Sequence, residues 1–269
     1  MEDRRKHIES KLAGESLVAT SVRRGTDGPV RAVLPDLWCI LIGGSLFDRG
    51  KTALVPLADR VATLRAKHQI AVFVGGGVRE RHTYKIGIDL GLPVGGLAMI
   101  AGGIPEQNAL IFWSLLASRG AVRLSKEELG IMPLVLAMGQ LPILVGQPPY
   151  HYWEYPSNVS SVPRHGADCG TVLLADNFGC RCMLLKDVDG IYDADPAEHT
   201  DARLIKRARV EDLIENGPTT LPVERALLDI LKDTKSLTRV RVASGLDADN
   251  LDRILAGEDV GTLLEASHA

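Results

Sequence analysis

The sequence lacks the marks of several large functional classes. Only 4% of its 269 residues are aromatic, four are cysteine, and the formal charge at pH 7 is −3. So small a charge, of negative sign, exerts no long-range pull on a polyanion, so neither nucleic acid nor a membrane surface is an expected partner. Zinc sites favour C-x₂₋₄-C pairs, yet of Cys39, Cys169, Cys180 and Cys182 only the last two are close, as C-x-C. In a strand that spacing puts both thiols on one face, and buried, reduced cysteine is the expectation. The N-terminal MEDRRKHIESK is charged throughout and lacks the apolar run of a secretory signal. The most apolar stretch, LGIMPLVLAMGQLPILVG at 129–146, is broken by Pro133, Gly139, Gln140 and Pro142, which predicts a helix and a core strand rather than a membrane span. A cytoplasmic protein is expected. Neither G-x-G-x-x-G nor G-x₄-G-K-[ST] occurs, which argues against a dinucleotide fingerprint and a Walker loop.

What is present is alternation. Short apolar runs at 38–42, 70–74, 121–124, 142–146, 181–186, 239–243 and 260–264 read as strands. Helical spacing or helix punctuation marks 54–64, 78–90, 105–120, 167–178, 222–235 and 248–256. The third of these opens on Pro105 and closes on Gly120, the usual asymmetry of a helix. Strand–helix alternation predicts an α/β fold with a mainly parallel sheet covered on both faces, and ligands at the edge where strands end and helices begin. Residues 1–34 read as an N-terminal arm. Residues 35–265 read as one domain, with an N-terminal lobe to about 165 and a C-terminal lobe from about 166. Between the lobes, QPPYHYWEYPSNVSSVPRHG at 147–166 has no period and reads as a long ordered loop or lid, a usual carrier of function.

Three glycine clusters punctuate this pattern: Gly43-Gly44 and Gly75-Gly76-Gly77 at strand ends, and Gly102-Gly103, expected in a loop. Glycine lets backbone N–H groups close around an anion, and equally makes plain tight turns. KDVDGIYDADP at 186–196 joins Lys186 to Asp187, Asp189 and Asp193 around a glycine turn, then a second turn at Asp195-Pro196. A cation beside carboxylates suits phosphate together with Mg²⁺; the same residues also suit two surface turns. Arg79, Arg81 and His82 follow a glycine turn at a helix start, where an anion is favoured, or else form a solvated helix face. His151 and His165 in the long loop have the chemistry to bind metal oxide or to serve structurally.

LIGG after the first strand, VGGGVRERH after the second, GADCGTVLLA at 166–175, KDVDGIYDADP and RVRVASGLDADNLDRILAGEDVGTLL at 239–264 follow the order of the amino-acid kinase superfamily, near its uridylate kinase branch. Within it the chain resembles the molybdenum storage subunits, the alpha type more than the beta. That closer likeness is carried by DRG at 48–50, VRERH at 78–82, DLGLPVG at 89–95, QN at 107–108, PPYHYWEYP at 148–156 and LPVERALLDI at 221–230.

The resemblance implies a three-layer α-β-α sandwich with a mainly parallel eight-stranded sheet. It implies ATP and Mg²⁺ on the C-terminal half and an acceptor or oxoanion site on the N-terminal half. It also implies a homo- or hetero-hexameric cage with a related subunit, holding molybdate or tungstate as oxide clusters. Carried over by position, Gly43, Gly44, Lys186, Asp189, Gly190, Tyr192, Asp195 and Pro196 bind nucleotide, and Asp168 orders the metal. Gly75, Gly76, Gly77, Arg79, Arg81 and His82 face the acceptor, and His151 and His165 face the oxide cluster. Many superfamily kinases carry a lysine two residues before the glycine pair. Here Leu41 stands in its place, with Lys51, Arg79, Arg81 and Lys186 as candidate substitutes, which leaves phosphoryl transfer weakened and the enzymatic role open. The alternatives are a uridylate-kinase-like small-molecule kinase and a catalytically weak ATP-binding regulatory subunit. Segment 121–140 contains no histidine for an oxide cluster.

Overall fold

A computed structural model describes residues 31–154 and 162–267. From Ala32 onward the chain forms one compact unit, which carries everything below. The expected arm lies outside the described residues up to residue 30, as do residues 155–161 of the long loop.

Runs of Leu, Ile and Val make β1 (Leu37–Ile42), β2 (Gln69–Val74), β4 (Leu141–Val145) and β5 (Arg181–Lys186). These strands are buried nearly throughout, as strands of a parallel sheet covered on both faces must be. With β3 (Ala121–Arg123), β6 (Arg207–Arg209), β7 (Arg239–Ser244) and β8 (Thr262–Glu265) they form one eight-stranded sheet in the order β3-β4-β2-β1-β5-β7-β8-β6. Among the described residues, the β7–β8 pairing is the one antiparallel pairing between strands of this sheet.

Alternation along each strand splits the core in two. One face carries Leu41, Phe73, Leu184 and Val242, and packs against α5 (Met132–Ala137), α6 (Ala167–Phe178), α7 (Val210–Asn216) and α8 (Arg225–Asp233). The other carries Ile40, Val72, Met183 and Ala243, covered by α1 (Gly44–Asp48), α2 (Lys51–Leu64), α4 (Val94–Leu116) and α9 (Asp249–Leu255). This is the expected three-layer α-β-α sandwich. Between β2 and α4, α3 (Val78–Asp89) buries only Gly87 and lies against α4.

One helix differs from its expected bounds. Instead of opening at Pro105, α4 begins at Val94 and contains Pro105 with Gly95, Gly96, Gly102 and Gly103, so the expected loop glycines are helical. Packing explains two of them. A Cβ on Gly102 would lie 2.8 Å from the His151 ring, and one on Gly95 would lie 3.1 Å from the carbonyl oxygens of His151 and Tyr152. Small residues here let the 3₁₀ turn at His151–Trp153 sit close on the helix. All four cysteines are buried and free, and Cys39 stands beside Cys182 across the β1–β5 ladder. A hydrogen bond with Cys180, then burial, hold the Cys39 thiol well above its ordinary range. Among the described residues no helix is long and apolar enough to cross a membrane.

Candidate functional site

The parallel ladders extend one residue past several strands. The Gly43 N–H donates to Leu185 O (2.8 Å), Gly75 to Ile42 O (3.0 Å), Gly146 to Val74 O (3.0 Å) and Gly245 to Lys186 O (2.7 Å). Four chain reversals are thereby held at one level, at the edge predicted for ligands. Above them lies a cleft of about 540 Å³, lined by both glycine turns, Lys186, the start of α6 and the segment Thr220–Glu224.

The glycine turns interlock. A Cβ on Gly44 would fall 1.9 Å from the Gly77 nitrogen, and Gly77 itself has φ 77°, where side chains are strained. Asn108 fastens the second turn, its Nδ2 donating to Gly75 O (2.8 Å) and Gly76 O (3.1 Å). Arg79 donates to Asn108 Oδ1 and to Gln107 Oε1 (3.2 Å). The QN pair therefore belongs to the scaffold of the turn. Among the described residues, the N–H groups of Gly44 and Gly76 have no hydrogen-bond partner.

Beneath the turns sits a buried polar knot. The Lys186 Nζ donates to Asp168 Oδ1 at 2.6 Å, and Asp168 Oδ2 accepts the Glu224 N–H at 2.9 Å. The Glu224 carboxylate in turn caps α6 from a distant segment, accepting from the N–H groups of Gly166 (2.8 Å), Asp168 (3.1 Å) and Cys169 (3.4 Å). This is a reciprocal cap, with each acid taking the other's backbone proton, and it occupies amides that α6 would otherwise offer to an anion. Burial, then the Asp168 carboxylate, push the Glu224 carboxyl up. Glu80 leans over Gly76 and accepts from Gln147 Nε2, and burial, with Glu224 adding, raises its carboxyl to about 7. At the cleft mouth, Ser45 Oγ donates to Asp187 Oδ1 (2.8 Å), with Arg49 at 3.7 Å from the same carboxylate.

Of the expected nucleotide residues, Gly43, Gly44, Lys186, Gly190, Tyr192, Asp195 and Pro196 line this cleft. Asp189 lies outside the lining and accepts the Tyr192 hydroxyl at 3.1 Å. Asp168 lines it, as do Gly75, Gly76, Gly77 and Arg81. Arg79, held by the QN pair, and exposed His82 do not. Leu41 is fully buried and borders the cleft floor, and of the four candidate substitute cations only Lys186 and Arg81 reach the lining.

His151 and His165 lie elsewhere, in a small separate space shared with Tyr84, Gln147 and Glu154. His151 Nε2 meets Lys126 Nζ, and His165 Nδ1 stands 3.8 Å from Glu154 Oε2, its ring edge-on to Tyr150. Sequence reasoning missed Glu80 and Glu224. Both lie inside quoted motifs, VRERH and LPVERALLDI, but a glutamate that caps a distant helix has no local spacing to betray it.

The sequence profile of the amino acid kinase family matches residues 37–244. The chain is 39% identical over 237 residues to the molybdenum storage protein subunit beta of Azotobacter vinelandii, covering 87% of this chain and 88% of that protein. It is 26% identical over 233 residues to the uridylate kinase of Methanobrevibacter smithii, covering 83% and 96%. The crystal structure of uridylate kinase from Archaeoglobus fulgidus superposes with a TM-score of 0.65 at 21% identity, over 84% of this chain and 99% of that one, a likeness of fold. Taken with the eight-stranded sheet and the glycine-turned cleft at its carboxyl edge, these matches place the chain in the amino acid kinase family.

Proposed function

We propose that the chain is a molybdenum or tungsten storage subunit that binds ATP with Mg²⁺ in the cleft and holds molybdate-derived oxide within a cage-like hexamer. One observation carries the nucleotide part. The unpartnered Gly44 and Gly76 amides border the same cleft as Lys186 and Arg81, so hydrogen-bond donors and positive charge meet where an oxyanion would sit. Identity of 39% to a molybdenum storage subunit supports the storage part. The N–H groups of Gly44 and Gly76 would bind phosphate oxygens, Lys186 would orient them, and Tyr192 with Asp195-Pro196 would border the rest of the nucleotide. Gly75–Gly77 and Arg81 would bound the oxoanion side.

The donor set fits Mg²⁺. Asp168 is a buried carboxylate and Glu224 beside it a partly buried one; the two repel one another, and a hard divalent cation relieves that repulsion. Among the described residues no three acids, histidines or cysteines converge as a ready cage, in keeping with an ion that takes one or two carboxylates and completes its shell with phosphate and water. When bound, Mg²⁺ would neutralise charge between phosphate oxygens and Asp168.

Leu41 supports binding with slow transfer, because one preorganised cation at the moving phosphoryl group is commonly worth ~10²–10³ in rate. A second reading, phosphoryl transfer of the uridylate kinase type, is favoured by the 26% identity to such kinases and opposed by Leu41. His151 and His165, beside Glu154, are the proposed contacts for oxide. Elemental analysis of protein purified from molybdate-fed cells tests the storage role. Many metal atoms per assembly are expected, and a metal-free assembly would remove it. Labelled ATP with a panel of nucleotide acceptors tests the second reading, for which no phosphorylated product is expected.

A further inference from the structure

The oxoanion side of the cleft contains an acid, the wrong sign for an anion site. Glu80 stands in the first turn of α3, just past the glycine turn, and lines the cleft together with Gly76 and Arg81. Its side chain lies back on the turn, so that a Cβ on Gly76 would fall 2.6 Å from the Glu80 carboxyl carbon. Glycine at 76 is what admits the acid. The two carboxyl oxygens then differ in their company. Oε1 accepts from Gln147 Nε2, in the loop after β4, and stands 3.5 Å from the Tyr84 hydroxyl of α3. Oε2 lies over Gly76 and accepts no hydrogen bond among the described residues.

The surroundings work against a charge on this group. Burial, then the Glu224 carboxylate from the segment before α8, raise the Glu80 carboxyl to about 7, against the Tyr84 and Gln147 hydrogen bonds and the Arg81 charge. From the other elements packed here, α1 presents Asp48, whose Oδ2 accepts from the Val78 N–H at 3.4 Å, and α4 presents Gln107 and Asn108, which hold Arg79. Glu154 of the long loop bears on Tyr84. Because Oε1 is already an acceptor, a proton taken up by Glu80 belongs on Oε2, the oxygen over Gly76.

We propose that Glu80 is the specificity-determining residue of the oxoanion side, its Oε2 sharing one proton with the bound oxyanion while the Gly76 N–H and Arg81 supply the attraction. Two anionic oxygens in contact repel, whereas a single hydrogen between them makes a charge-assisted bond. An oxyanion that carries its own hydrogen, such as hydrogen phosphate, binds beside the carboxylate. A bare dianion such as molybdate binds only with a proton from solution, so that carboxylate, proton and dianion become a carboxylic acid donating to the dianion. The selection rests on the oxoanion reading of the cleft and refines it to a choice among oxoanions.

Calorimetric titration of the full-length protein with sodium molybdate at pH 8, in two buffers of different ionisation enthalpy, reads the proton directly. Uptake of about one proton per molybdate is expected, and none for inorganic phosphate, which carries a hydrogen at that pH. Molybdate affinity should also fall about tenfold from pH 8 to pH 9, where Glu80 is charged in the free protein. Glu80→Gln keeps the Gln147 bond through its amide oxygen and puts an N–H donor in the place of Oε2. It should bind molybdate with neither the proton uptake nor the pH dependence. Wild-type protein that binds molybdate without taking up a proton would overturn the proposal, as would Glu80→Gln protein that still takes one up, or that loses molybdate binding with its thermal transition intact. No heat from either anion in well-folded wild-type protein would remove the oxoanion reading itself, and the proposal with it.

Discussion

Replacing Lys186 with methionine leaves a carboxylate stranded. The Asp168 and Lys186 side chains are 5% and 12% exposed, so their 2.6 Å contact is a buried ion pair rather than a screened surface one. Removing one member of such a pair costs about 3–5 kcal/mol, because the remaining charge is buried without compensation. Asp168 would keep the Glu224 N–H on its second oxygen, but the Glu224 carboxylate nearby would repel it. The expected result by urea denaturation at pH 8 is a loss of about 3–5 kcal/mol. Lys186→Met/Asp168→Asn, with no charge to strand, should recover most of it. A loss below about 1 kcal/mol, or no recovery in the double variant, would refute the reasoning.

Glu80→Gln tests the neighbouring acid. With its carboxyl raised to about 7, Glu80 makes wild-type stability fall between its unfolded pKa near 4.5 and pH 7, and glutamine should flatten that slope and add about 2–3 kcal/mol at pH 8, read by denaturant titration. Gly44→Ala would drive a methyl into the Gly77 backbone and should cost about 1–3 kcal/mol or more, seen as a lowered thermal midpoint, whereas an unchanged midpoint would mean the turns are not interlocked. Leu41→Lys, with its ammonium reaching the cleft floor, should raise ATP turnover at least about tenfold in a phosphate-release assay. Unaltered turnover would mean that Leu41 is not what slows transfer.

Fold and site were legible in the sequence to different depths. Alternating apolar runs predicted a mainly parallel sheet covered on both faces, because burial on both faces imposes such runs on parallel strands, and the family likeness added the three-layer sandwich and its eight strands. The start of α4 was hidden because Pro105 and the glycines Gly95, Gly96, Gly102 and Gly103 carry the local signals of breaks. There, close approach of the His151–Trp153 turn overrides propensity. The glycine turns and Lys186 were visible from residue type and position, and Asp168 came from the family likeness. Glu224 and Asn108 were not, because each acts on backbone 32 to 58 residues away, through contacts that only the fold creates. Arg79 was misplaced for the same reason. Its position suited an anion, and its partner turned out to be the α4 pair Gln107 and Asn108.

The central claim is a cleft that grips a nucleotide triphosphate although a hydrocarbon side chain stands at the customary cation position. Calorimetric titration of Mg·ATP into the folded full-length protein tests it most directly. Saturable heat at one site per chain, lost in Lys186→Ala, is predicted, and the absence of any heat from well-folded protein would contradict it.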